Sequence, residues 1–295
     1  MNTVSLLAAC LALALPACGP EAPADTALAA PAVAESPTDS PASQAGPYRF
    51  DRPAARFELP PELVEVSALT VLGDGRLGAV QDEDGVLYVL SAETGAVEAA
   101  VPFGPPGDYE GVEAVGRRLF VLRADGAVLD LGATADLDGW AAAEGVRATV
   151  HETGLGAKAC DAEGLGTDGA RLLIACKEEG DGDRTPTYAL DVGSMTLATG
   201  PALARADVPG GKKPRPSALA VHPVTGHTVV LASKGDALVS LDAAGAVVDV
   251  WDLSPAGLEQ PEGLAFLPNG DALVSSEGRD GPGVVARFAY EPADR

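Results

Sequence analysis

Three glutamates, Glu110, Glu163 and Glu262, hold the same place in three matching segments: Tyr-Glu-Gly-Val (109–112), Ala-Glu-Gly-Leu (162–165) and Pro-Glu-Gly-Leu (261–264). Val-Ser-Ala-Leu (66–69) and Pro-Ser-Ala-Leu (216–219) put Ser67 and Ser217 in that place. A second polar position follows 13 to 17 residues later in each: Asp82, Arg123, Lys177, Lys234 and Glu277. Carboxylates that converge without a cation have two chemical uses. They hold a hard divalent metal such as Ca²⁺, which takes about 6–8 oxygen ligands, or their pKa values rise and they move protons. On this alignment Glu110 faces Arg123 and Glu163 faces Lys177 as neutral pairs. Ser217 with Lys234 leaves a spare cation. Glu262, Glu277 and Asp82 are left without one. The spacing nominates these three, with Glu163 beside them, as ligands of one divalent cation. Two other readings stand next to it: a structural ion network in which Lys177 and Lys234 reach across to Glu262 and Glu277, and catalytic carboxylates.

Such side chains meet only if the segments are arranged about a common axis. The Ser/Glu positions fall at 67, 110, 163, 217 and 262, spaced by 43, 53, 54 and 45. Each segment is followed by a turn, such as Gly73-Asp74-Gly75 or Asn269-Gly270-Asp271, then by an apolar run and a polar loop. Short strands, frequent turn residues and this period indicate an all-β repeat array. A four-stranded unit of that length is a β-propeller blade. Five blades are visible, and the longer middle repeats leave room for a sixth. The last repeat runs out after a third strand, Gly283 to Tyr290. Residues 48–59 supply the missing outer strand and close the ring, which removes an exposed edge. One domain, 48–295, results. First strands line the channel, so both rings of polar residues lie at one mouth.

The ordered set of five motifs, together with His222-Pro223-Val224-Thr225-Gly226-His227, resembles the SdiA-regulated family of bacterial envelope propellers. The likeness covers roughly residues 60–290. It implies a fold related to phytase-like and NHL-repeat propellers and a calcium or other metal site; it implies no particular activity.

The N-terminus reads as an address. Val4 to Leu15 is apolar and too short to span a bilayer, which takes ~20 residues, and it fits a secretory signal. Ala17-Cys18 resembles the lipobox of bacterial lipoproteins, which implies signal removal at residue 17 and a lipid on Cys18. Gly19 after that cysteine implies the outer membrane of a Gram-negative envelope. Residues 18–47 are rich in Ala and Pro and carry only acidic charges, the composition of a disordered tether.

The chain carries 43 acidic and 20 basic residues, a net charge of −23. That excludes a phosphate-binding nucleic-acid surface. Lys212-Lys213-Pro214-Arg215 is the densest basic cluster, in the loop entering the fourth first strand, and is a candidate contact for an anionic group. The loop Lys177 to Arg184 lacks the closing Glu of an EF-hand. Cys160 and Cys176 flank the third hairpin; a one-residue bulge brings them opposite each other for a disulfide in an oxidising compartment. His222 and His227 flank a turn on the opposite face from the mouth. No Gly-x-Ser-x-Gly elbow is present. The reading is a monomeric propeller, lipid-anchored in the cell envelope or secreted, that binds a small ligand or an envelope protein at a polar mouth. A metal-dependent hydrolase of phytase-like or lactonase-like type and a protein-assembly scaffold are the alternatives. Asn2 and Asn269 are the only asparagines, and neither is at the mouth, which counts against a lactonase-type site.

Overall fold

Strand follows strand here because β-branched and leucine-rich runs are cut by residues able to turn sharply. Between the first two paired strands, Asp74 sits at φ 50 and Gly75 at φ 74, the left-handed backbone of a tight hairpin. The computed structural model describes residues 46–156, 160–177 and 183–292. The expected signal peptide, Cys18, most of the expected tether and most of the loop 177–184 lie outside the described residues.

Among the described residues, twenty strands form five antiparallel four-stranded sheets. The ring-closing strand β1 (Ala55–Glu58) comes first in sequence. Blade 1 is β2 (Val66–Gly73), β3 (Arg76–Gln81), β4 (Val86–Ser91) and β5 (Val97–Pro102). Blade 2 is β6 (Tyr109–Val115), β7 (Arg118–Arg123), β8 (Val128–Ala133) and β9 (Thr149–His151). Blade 3 is β10 (Ala162–Thr167), β11 (Arg171–Cys176), β12 (Arg184–Asp191) and β13 (Thr196–Ala204). Blade 4 is β14 (Pro216–Val221), β15 (Thr228–Ala232), β16 (Ala237–Leu241) and β17 (Val247–Asp252). Blade 5 is β18 (Gln260–Phe266), β19 (Ala272–Glu277) and β20 (Val284–Phe288), completed by β1.

The first strands β2, β6, β10, β14 and β18 touch in that order, and β18 returns to β2. This is a closed five-bladed propeller. Among the described residues the long repeats hold no sixth blade. The extra length of the second holds a short helix, α1 (Leu137–Ala142), and that of the third holds the long β12–β13 hairpin and two 3₁₀ turns. Residues 48–59 close the ring as expected: Ala55 to Glu58 pair with Arg287 to Val284.

The core is divided into wedges between neighbouring blades. Val80, Leu87 and Val101 of blade 1 pack with Val112, Leu119 and Val121 of blade 2, and four similar clusters continue around the ring. Close approach of the first strands sets the residue after each Ser/Glu. A Cβ on Gly164 would lie 3.0 Å from the backbone of Ala218 in the next blade, so only a small residue fits. In the Glu-Gly pairs, glycine serves packing and glutamate is left free for the mouth.

Candidate functional site

All five Ser/Glu positions share one backbone feature. In each blade the ladder between the first two strands skips one residue. Val66 pairs with Gln81 and Ala68 with Val80, passing over Ser67. The ladders likewise pass over Glu110, Glu163, Ser217 and Glu262. A bulge leaves its extra residue unpaired and re-aims its side chain. Five bulges at matching positions therefore build a ring of polar side chains, and Glu163 and Glu262 are only 3% and 6% exposed.

The registers correct the second ring. The residue opposite the start of each bulge is Gln81, Arg123, Cys176, Ala232 or Ser276. The next residues along are Asp82, Ala124, Lys177, Ser233 and Glu277. Three expected members hold their places, while Arg123 falls one residue short and Lys234 one residue beyond. A one-residue shift in a strand turns a side chain to the other face. Arg123 accordingly pairs with Asp125 at 2.7 Å and approaches Glu152 at 4.0 Å, and Glu110 does not receive it as a partner. Lys234 is exposed, so blade 4 does not supply the expected spare cation through that residue. The expected pair of Glu163 with Lys177 is present at 2.9 Å.

A third tier is legible only afterwards. Two residues before each bulge stand Glu65, Asp108, Asp161, Arg215 and Gln260. All five are polar, which is the signal that could have found them. Gln260 hydrogen-bonds Glu262 and Glu277, Asp108 hydrogen-bonds Glu110, and Ser67 donates to the Glu65 carbonyl at 3.3 Å. Ser217 donates to the Pro261 carbonyl of the next blade at 3.0 Å, a packing role. The Arg215 carbonyl accepts from Ser233 Oγ at 3.2 Å. Lys212 is exposed and Lys213 half-buried, both beside this edge of the mouth.

Carboxyls outnumber cations in these tiers, and their proton affinities follow. Burial raises Glu110, the nearby Glu163 carboxylate raises it again, and the hydrogen bond with Asp108 adds to both, so it holds a proton at neutral pH. Burial pushes Glu262 up to about 7 against the pull of Lys177, with Glu163 and Glu277 adding to the rise. Burial also raises Glu163, opposed by Lys177. Burial and then Asp82 and Glu65 raise Glu277. Burial and then Glu65 raise Asp82, whose Oδ1 is buried with no hydrogen-bond partner among the described residues. Burial disfavours the Lys177 charge, but Glu163, Glu262 and Glu110 outweigh it and raise its pKa. Deeper in the channel, Glu113 was not anticipated. It accepts from Thr70 of blade 1 at 2.8 Å and from the Ala114 amide at 2.8 Å, and desolvation lifts it to about 7.

Glu163 is engaged by Lys177, and no three His, Cys, Asp or Glu side chains among the described residues form a metal-binding group. Cys160 and Cys176 form a disulfide with Cα atoms 5.1 Å apart. The register differs from the expected one: the bulge at Glu163 puts Ala162 opposite Cys176, and the bridge reaches past it to Cys160. His222 and His227 lie at the far end of blade 4 from the mouth, as expected.

Comparison with protein-family models and with curated protein sequences gives no match. Among solved structures the chain is similar to Myxococcus xanthus glutaminyl cyclase, with a TM-score of 0.58 at 17% identity, over 82% of this chain and 97% of that one. It is also similar to the PQQ-bound aldose sugar dehydrogenase of Streptomyces coelicolor, with a TM-score of 0.52 at 12% identity, over 80% of this chain and 97% of that one. At these identities the likeness is one of fold, and this chain is a five-bladed β-propeller.

Proposed function

We propose that the channel mouth binds a cationic ligand, an ammonium or guanidinium group, and that the protein is a binding module of the bacterial envelope. The reading rests on one observation. Glu110, Glu163 and Glu262, on bulges of three blades, all act on one cation, Lys177, whose Nζ is bonded to Glu163 at 2.9 Å. Burying carboxylates without a counter-ion is costly. A ligand cation would offset that cost and displace the protons these groups hold. Binding is therefore expected to release protons at pH 7. Calorimetry in two buffers of different ionisation enthalpy, with putrescine, arginine methyl ester and Ca²⁺ as probes, measures this. At least one probe should bind, and Glu262→Gln should weaken it tenfold or more. No heat and no thermal shift from any of the three would overturn the proposal. Ca²⁺ alone binding would instead restore the metal site that the family resemblance implies.

A second reading draws on the same groups. A carboxyl with a pKa of about 7, such as Glu262, suits general acid–base chemistry near neutrality. The hydrolase alternative rests on it, and the M. xanthus neighbour is named as a glutaminyl cyclase. Turnover of lactones, phosphomonoesters, esters or N-terminal glutaminyl peptides that is lost in Glu262→Gln would favour this reading.

The address belongs to the proposal as well. Cys18 is taken as the lipidated first residue, holding the propeller off a membrane by the tether. The protein should fractionate with membranes, its mass should correspond to a chain starting at Cys18 plus acyl groups, and Cys18→Ala should be soluble. The five ordered motifs, each now located on a bulge, are what supports the SdiA-regulated resemblance.

A further inference from the structure

On the face opposite the mouth, the two ends of the propeller meet around one buried histidine. His222, 1% exposed, follows β14 and opens the turn to β15. Its Nδ1 accepts from the Val224 and Thr225 amides, both at 3.2 Å. An atom that accepts two N–H bonds carries no proton, so the ring proton sits on Nε2. Nε2 lies 2.8 Å from Tyr48 Oη, and Tyr48 donates onward to the Gly270 carbonyl at 2.7 Å. The chain is directional: imidazole N–H to phenol oxygen, phenol O–H to carbonyl. The imidazole also packs against Tyr290 and Phe266, with centroids 4.6 and 4.8 Å away. Tyr48 belongs to the N-terminal segment and Tyr290 to the C-terminal one. The two segments are joined directly by the Glu291 amide donating to the Pro47 carbonyl at 2.7 Å.

We infer that His222 is an acid-sensitive latch on this seam: protonation at Nδ1 detaches the N-terminal segment around Tyr48 from the turns at 222–226 and 267–271. The new N–H would point at two N–H donors, and a cation would sit among aromatic rings. No carboxylate among the described residues is placed to receive it; a backbone hydrogen bond with Gly270 favours the charge, and burial outweighs it. Around the ring, His227 on the same turn contributes repulsion. Tyr48 and Tyr290 are phenols. Asp271 on the adjacent turn is taken by Arg287 at 2.6 Å. Arg49 and Asp51 pair with each other in the open. Burial accordingly lowers the His222 pKa. The latch is at full strength above the ordinary histidine pKa near 6.5. It is lost as pH falls toward and through the depressed value. The segment it holds leads directly into the chain N-terminal to residue 46, so acid would lengthen the stretch of chain on which the propeller hangs.

Amide exchange on the full chain tests this, read as protection factors at pH 7.5 and pH 5. Protection of residues 48–50 and 290–291 should fall at least tenfold at pH 5, while that of β6 and β10 does not fall. In His222→Asn the side-chain oxygen can still accept from the turn amides, but nothing titrates and the Tyr48 link is gone. Protection of 48–50 should then be low and equal at both pH values. Equal pH dependence in wild type and variant would overturn the latch. Should the variant not fold, ¹⁵N chemical shifts of the wild-type imidazole decide: a proton on Nδ1 at pH 7.5, or loss of protection at a pH where the ring does not titrate, would equally overturn it.

Discussion

Glu262→Gln stabilises the protein at pH 8 by on the order of 3 kcal/mol, and this gain disappears near pH 4.5. The carboxyl rises from an ordinary 4.5 to about 7 on folding. At about 1.4 kcal/mol for each tenfold change in proton affinity, that rise corresponds to roughly 3 kcal/mol. For an acid whose folded pKa is raised, stability is full below the unfolded pKa and falls as pH climbs to the folded one. Wild-type protein therefore loses stability between about pH 4.5 and 7 through this group, with Glu113 acting in the same direction. Glutamine keeps the shape and removes the charge. In a domain of this size the gain corresponds to a rise in Tm of roughly 6–12 °C, read by calorimetry across the pH range. Lys177 keeps its bond to Glu163 at 2.9 Å in the variant, so no cation is left alone. Destabilisation at pH 8 would mean that the Glu262 carboxylate already makes a favourable ionic contact. The same substitution should weaken ligand binding, so stability and function pull in opposite directions at this residue.

Cys160→Ala/Cys176→Ala is expected to cost about 3 kcal/mol, the loop-closure contribution for a separation of this length. The sequence separation is 16. The bridge also holds the mouth. Lys177 follows Cys176, and its amide donates to the Asp161 carbonyl at 2.7 Å while its Nζ holds Glu163. Cutting the bridge should therefore weaken any mouth ligand along with the fold. Urea unfolding of the variant and of reduced wild type should give the same midpoint, below that of the oxidised protein. An intact mass showing two free thiols in the purified protein would remove the basis of the prediction.

These two sites differ in how far they could be read beforehand. Glu262 and Glu163 were legible because identity recurred at matching places in a repeat, and a repeat about an axis brings matching places together. The second ring was half legible. Counting forward from the Ser/Glu positions placed Asp82, Lys177 and Glu277 correctly and misplaced Arg123 and Lys234. The distance from bulge to strand end is set by hairpin length, which varies from blade to blade: Asp74 and Gly75 make a tight turn in blade 1, while Pro223 to Gly226 make a longer one in blade 4. Side-chain direction alternates with every residue, so one residue of error is enough to exchange mouth for outer face. The pairing of Glu110 with Arg123 failed for that reason alone.

The architecture was legible in the residues alone: five visible repeats, the strand-turn rhythm, the ring closed by residues near 55–58 and the carboxylates at the mouth. Each of these is a periodic or compositional property, carried by local pattern and by the need to bury one face of every strand. Which charges neutralise which depends on how the blades pack. Glu110 hydrogen-bonds Asp108 and lies near Lys177 from another blade, His222 reaches Tyr48 across 174 residues of chain, and Glu113 meets Thr70 between blades. Such contacts depend on register and on distances across the ring, where one residue or a few ångströms change the partner. An overall charge of −23 said that carboxylates were in excess. The fold placed buried carboxyls around Lys177 at the mouth.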